Sequence, residues 1–150
     1  MNLLGPFLAT RAFLPLLLAS SSSHIINVSS VGAHITGPGF SAYQPSKLAL
    51  VRFTDFLQAE YGAQGLTAIS IHPGNVATDI LAAIGGVPKG FEHVIVETPE
   101  LAADTVTFLT AEERRWLGGR YVSVTWDMPQ LMEKEEEIVK GDKLKVRLVW

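Results

Sequence analysis

At 150 residues, 47% of them hydrophobic and 18% charged, the chain has the size and composition of one globular domain with a real core. Twelve basic against fifteen acidic side chains leave a net charge of −3. That balance gives no electrostatic reason to expect nucleic acid or an anionic membrane as partner. The absence of cysteine excludes disulfides, thiolate catalysis and cysteine metal sites, and it fits a reducing compartment. His24, His34, His72 and His93 contain no pair at metal-ligand spacing, so no metal is expected.

From the N-terminus, Leu3 to Ala19 is apolar apart from Thr10 and Arg11. A membrane span is a poor fit, because Arg11 sits mid-segment and Pro6 and Pro15 interrupt it. Two readings remain. A secretory signal would end its basic region at Arg11, run its apolar region from Ala12 to Leu18 and be cut near Ala19 or Ser21. A helix over 2–18, apolar nearly all round, would instead be buried between a sheet and a neighbour. Ser20 to Ser23 ends either one.

His24 to Ser29 is β-rich without clean alternation, which predicts a strand covered on both faces. Val31 to Phe40 carries Gly32, Gly37, Pro38 and Gly39 and is a loop. A long helix begins near Ser41–Pro45 and ends near Tyr61, with Gly62 or Gly65 as its stop. Ala68 to Ile71 is a second strand, stopped by His72-Pro73-Gly74. Asp79 to Val96 is a loop with one short helix at most. Thr98 as N-cap and Pro99 at the first helical position open a helix to about Leu109. Thr110 to Glu113 is a capping box for one further turn. Arg120 to Thr125 is a third strand, Asp127 caps an acidic helix through Glu133–Glu137, and Lys143 to Trp150 is a final extended segment. This alternation predicts an α/β fold: a parallel sheet about three strands wide, flanked by helices, with right-handed crossovers.

The chemistry gathers at one spacing. Ser30 ends the first strand, Tyr43 follows thirteen residues later and Lys47 four residues after that. Tyr43 and Lys47 are one helical turn apart and share a face. Ser30 lies at a strand carboxyl end, where open α/β sheets hold their ligands. Singly, each has an ordinary reading: Ser30 closes a strand, Tyr43 is a half-buried aromatic, Lys47 is a surface charge, and Asn2 is a helix N-cap. Jointly, with the glycine loop and the later Pro73-Gly74, they form a pattern.

That pattern resembles the short-chain dehydrogenase/reductase family over at least residues 1–126. The resemblance implies a partial Rossmann-type doubly wound parallel sheet in 1–126, followed by a C-terminal helix and extended tail in 127–150. It implies an NAD- or NADP-dependent oxidoreductase interconverting an alcohol and a ketone or aldehyde. Ser30, Tyr43 and Lys47 take the family's catalytic roles, and Asn2 falls where the family has an asparagine on the preceding helix. Tyr43 and Lys47, with Pro73, Gly74, Val76 and Thr78, would contact the nicotinamide end of the cofactor. A tyrosine can serve as acid or base toward an alkoxide. An ammonium ~4 Å from a phenolate stabilises it by about 4 kcal/mol at an effective dielectric of ~20. A serine hydroxyl would orient the carbonyl. The first helix then becomes the family's helix before the serine-bearing strand, so the protein is expected in the cytoplasm, uncleaved. Helices 2–18 and 44–61 are expected to pair in a homo-oligomer. Ile80, Leu81, Ile84, Val87 and Phe91 hint at an apolar small-molecule substrate.

The family's glycine-rich turn, which presents backbone amides and a helix N-terminus to the pyrophosphate, does not occur before residue 43. Three strand–helix units and a fourth strand are missing against the family, roughly 100 residues at about 30 per unit. The competing expectation is an inactive remnant that serves as an interaction or oligomerisation module.

Overall fold

The alternation of buried side chains along the central strand divides the molecule into two layers. In β2 (Leu66–His72), Leu66 and Ala68 pack on Leu57, while Ile69 and Ile71 pack on Leu109 and Val122. Successive residues of a strand point to opposite faces, so a strand buried at every position is covered on both. The computed structural model describes residues 2–79, 86–87, 89–90 and 92–150.

Around β2 stand α1 (Leu4–Leu18), β1 (Ser23–Val28), α2 (Tyr43–Tyr61), α3 (Pro99–Thr110) and β3 (Tyr121–Ser123). Two short helices follow, α4 (Met128–Glu133) and α5 (Glu135–Lys140). The sheet runs β1-β2-β3 and is parallel throughout. Leu14 and Leu18 of α1 and Phe53 and Leu57 of α2 cover one face. Leu109 of α3, Met128 and Leu131 of α4 and Ile138 of α5 cover the other. Residues 127–150 thus contribute to the same core.

The expectation of uniformly right-handed crossovers fails. Both connections step the same way across the sheet, yet α2 lies on one face and α3 on the other, so the two crossovers have opposite hands. The right-handed rule arises where a twisted strand feeds directly into a helix packed back on the sheet. The connection after β2 does not feed directly into a helix: Pro73 to Val76 and Ile95 line the strand carboxyl ends before α3 begins at Pro99. It also sets Pro99 and Ala102 beside those ends.

Other boundaries shift for local reasons. Thr110 caps nothing: its hydroxyl donates to the Val106 carbonyl at 2.9 Å within α3, and the next turn is a 3₁₀ turn at Arg115–Leu117. Asp127 caps α4 through Oδ1, which accepts from the Gln130 amide at 2.9 Å. The acidic helix is two helices, because Lys134 leaves the helical region at ψ 11°. The third strand is three residues long. Beyond it, Tyr121 N donates to the Leu144 carbonyl at 2.8 Å, so the C-terminal segment lies along its outer edge without forming a ladder. Gly65, at φ 94°, makes the turn into β2, and a Cβ there would stand 2.8 Å from the Ser21 carbonyl oxygen.

A buried polar cluster joins β1, α2 and β2. Asn27 Nδ2 and the Ser70 hydroxyl donate to Thr54 Oγ1 at 2.9 and 2.8 Å, and Thr54 donates to the Leu50 carbonyl at 2.9 Å. These bonds tie the three side chains to one another and to the backbone, so the cluster orients α2 against the sheet. The opposite side of β1 carries no strand among the described residues. The outer surface of α1 leaves Leu4, Phe7, Leu8, Phe13 and Leu16 exposed.

Candidate active site

The ends of β1 and β2, the first turns of α2 and the start of α3 enclose a cleft of about 440 Å³. Ser30, Tyr43, Lys47, Pro73, Gly74, Val76 and Thr78 all line it.

Ser30 is the N-cap of the 3₁₀ turn Val31–His34, and its Oγ accepts from the Gly32 amide at 3.0 Å. Its hydroxyl proton has no partner among the described residues, so it is available to a molecule in the cleft. A Cβ at Gly32 would lie 3.3 Å from Ser30 Oγ and 3.5 Å from Tyr43 Cε1. The serine and the tyrosine therefore converge on the space that this glycine leaves. Lys47 Nζ stands 5.7 Å from the Tyr43 ring centroid and donates to the Val28 carbonyl at 2.9 Å. Partial burial lowers the Lys47 ammonium below its ordinary range, since desolvation disfavours the charged form.

Asn2 stands apart. It borders a second groove between α1 and β1, with Thr10, Phe13 and Ile25–Val28, and this groove shares two lining residues with the cleft, Val28 and Lys47. Of the five residues that hint at an apolar substrate, Ile80, Leu81, Ile84 and Phe91 lie outside the described residues.

Sequence reasoning missed several residues. Ser29, beside Ser30, is buried and donates to the Lys47 main-chain carbonyl at 2.9 Å. His72 is buried at the cleft floor, and Nδ1 has no hydrogen-bond partner among the described residues. Burial lowers its titration, and the nearby Glu97 carboxylate opposes that shift. Glu97 Oε2 accepts from the Asn75 amide at 2.8 Å. The His72 position was visible as part of the Pro-Gly segment; an isolated glutamate 22 residues beyond Asn75 carried no signal at all.

A parallel sheet covered by helices on both faces, with its cleft at the strand carboxyl ends, is a Rossmann-like α/β domain. The chain matches the short chain dehydrogenase family model over residues 1–86, and it belongs to that family. It is 51% identical over 149 residues to the short chain dehydrogenase pigC of Monascus ruber, covering 99% of this chain and 49% of that protein. The chain thus spans about half the length of the curated relatives it matches. Among solved structures, the RhlG/NADP active-site complex of Pseudomonas aeruginosa superposes with a TM-score of 0.70 at 25% identity, over 81% of this chain and 52% of that one. A 7 alpha-hydroxysteroid dehydrogenase complexed with NADH and 7-oxo glycochenodeoxycholic acid shares the fold at TM-score 0.73 and 18% identity, covering 82% and 51% of the respective chains.

Proposed function

We propose that the protein of which these residues form the site is an NAD(P)-dependent oxidoreductase that interconverts an alcohol and a ketone or aldehyde. The carrying observation is the convergence of Ser30, Tyr43 and Lys47 with the Pro73–Thr78 segment in one cleft. A cleft of about 440 Å³ lies within the roughly 300–1,000 Å³ typical of small-molecule sites. These residues fit the nicotinamide end of a cofactor: Tyr43, Lys47, Pro73, Gly74, Val76 and Thr78 would hold it. The pyrophosphate end finds no fit here, because no glycine-rich strand–helix turn occurs in the 150 residues.

When bound, the nicotinamide supplies or accepts the hydride. Ser30 donates its free hydroxyl proton to the substrate oxygen and orients it. Tyr43 delivers a proton to that oxygen in reduction and takes it back in oxidation. Lys47 favours the phenolate by its charge, and its tie to Val28 holds it in place. Asn2, on the far side of Lys47, is assigned a water that continues the proton path. The substrate is a small alcohol or carbonyl compound, the setting is cytoplasmic, and the assembly is a homo-oligomer through residues 2–18 and 44–61.

A second reading is favoured by the bare side of β1 and the apolar surface of α1. In it, the 150-residue chain alone is a non-catalytic association module. NADH and NADPH titrations of this chain, beside turnover of a protein restored to the relatives' length, separate the two. Turnover of alcohol or ketone by the longer protein supports the oxidoreductase. Absence of both binding and turnover would leave the association module as the reading.

A further inference from the structure

We propose that Glu97 is the positioning residue of the Pro73–Val76 turn, latching the cleft wall to the chain segment that leads into α3. For its bearing on the cofactor, this rests on the oxidoreductase reading above.

Three features of one residue meet on the turn. The Glu97 carboxylate accepts from the Asn75 amide at 2.8 Å. The Glu97 backbone pairs with Val76 in an isolated parallel bridge. The Glu97 side chain also occupies the space left at Gly74, where a Cβ would fall 2.9 Å from Glu97 Cβ. Gly74 itself is at φ 86°, a conformation that glycine adopts at no steric cost and that a preceding proline such as Pro73 favours in a tight turn. The turn follows the buried end of β2 and lines the cleft through Pro73, Gly74, Asn75 and Val76. Pro73-Gly74 makes the bend, and Glu97 is the side chain that fixes it against the segment leading into α3. A carboxylate suits the task. It accepts only, and a bond from a backbone N–H to an ionised acceptor is about twice as strong as a neutral one. Among the described residues no lysine or arginine forms an ion pair with Glu97, so its carboxylate is committed to the turn.

Hydrogen exchange of the 150-residue chain, resolved by mass spectrometry, tests this in wild type, Glu97→Ala and Glu97→Gln. Losing a hydrogen bond to a charged group should raise exchange of the Asn75 and Val76 amides at least ~10-fold in Glu97→Ala, while the amides of β2 keep their protection. Glutamine retains a carbonyl acceptor and should restore part of it. Unchanged exchange at Asn75 in the alanine variant would overturn the latch. So would an equal loss throughout β2, or a glutamine variant no better protected than alanine. An NADH titration run beside it distinguishes the two layers of the argument. If wild type binds NADH, Glu97→Ala should bind it at least ~10-fold more weakly while remaining folded at the assay temperature, and equal binding by the two would overturn the cofactor role of the latch. If wild type does not bind NADH but exchange responds as expected, the latch stands, and the same titration of the protein restored to the relatives' length decides its cofactor role: equal NADH binding there by wild type and Glu97→Ala would overturn that role.

Discussion

Ser29 donates its hydroxyl to the main-chain carbonyl of Lys47 at 2.9 Å, and the Lys47 ammonium reaches back to the carbonyl of Val28, the residue before Ser29, at 2.9 Å. The two bonds run in opposite senses between the end of β1 and the first turns of α2. Together they set the distance between the strand that carries Ser30 and the helix that carries Tyr43. Of two adjacent serines, one is spent on this brace and the other faces the cleft. Ser29→Ala removes one buried hydrogen bond while Lys47's carbonyl keeps its place in the helix, so stability should fall by about 1 kcal/mol. The urea midpoint measures it. An unmoved midpoint would mean that the Ser29–Lys47 bond contributes nothing to holding α2.

In the protein restored to full length, Tyr43→Phe keeps the ring that packs beside Gly32 and removes the hydroxyl. Turnover should drop at least ~100-fold, within the range for a general acid–base group, with little change in melting temperature. Lys47→Ala should also lower turnover and displace the activity profile toward higher pH. Near-normal turnover by Tyr43→Phe would remove the proposed chemistry.

Burial holds both His34 and His72 below the ordinary histidine value of 6.5, with Glu97 partly offsetting the shift at His72. A base depressed by folding binds fewer protons in the native state than in the unfolded chain. Its stabilisation is therefore complete above 6.5 and is lost as pH falls through the lower native value. Asp142, held at about 2 chiefly by its hydrogen bond from Lys145, acts in a separate and more acidic window. It is largely exposed, so its effect is small. The melting temperature should thus decline between pH 7 and pH 5. A His34→Gln, His72→Gln double variant should flatten that decline, and an undiminished slope would assign it to other groups.

The 150-residue chain on its own should self-associate at micromolar concentration. The unpaired edge of β1 offers backbone donors and acceptors to another chain. Beside it, Leu4, Phe13 and Leu16 are 63%, 60% and 71% exposed on α1, and Phe56 is 57% exposed on α2. Burying ~800 Å² of such surface contributes about 20 kcal/mol in gross terms, from which the cost of association is subtracted. Sedimentation velocity reads the outcome. Leu16→Glu with Phe13→Glu should shift the distribution toward monomer, and a wild-type monomer would contradict the expectation.

What the sequence determined by itself is what depends on neighbours along the chain. The order of helices and strands follows from apolar periodicity, and the serine runs, Pro99 and Gly65 mark ends by local conformational preference. The placement of Tyr43 and Lys47 on one face follows from one turn of helix, and that of Ser30 at a strand end follows from where the apolar run stops. The tertiary structure alone decided the relationships between distant segments. The hand of the second crossover depended on which face of the sheet α3 covers, which no local pattern records. The distinct tasks of Ser29 and Ser30 depended on which of two identical side chains the strand turned toward α2. Asn2 lines the groove between α1 and β1 rather than the cleft, a placement set by where α1 packs and not by local pattern. Glu97 meets the Asn75 amide only because packing returns the chain, after the whole connection from β2, to the turn at which that connection began. Hydrogen bonds between such distant segments form when the core has brought them together, and their donors and acceptors look like any others until it has.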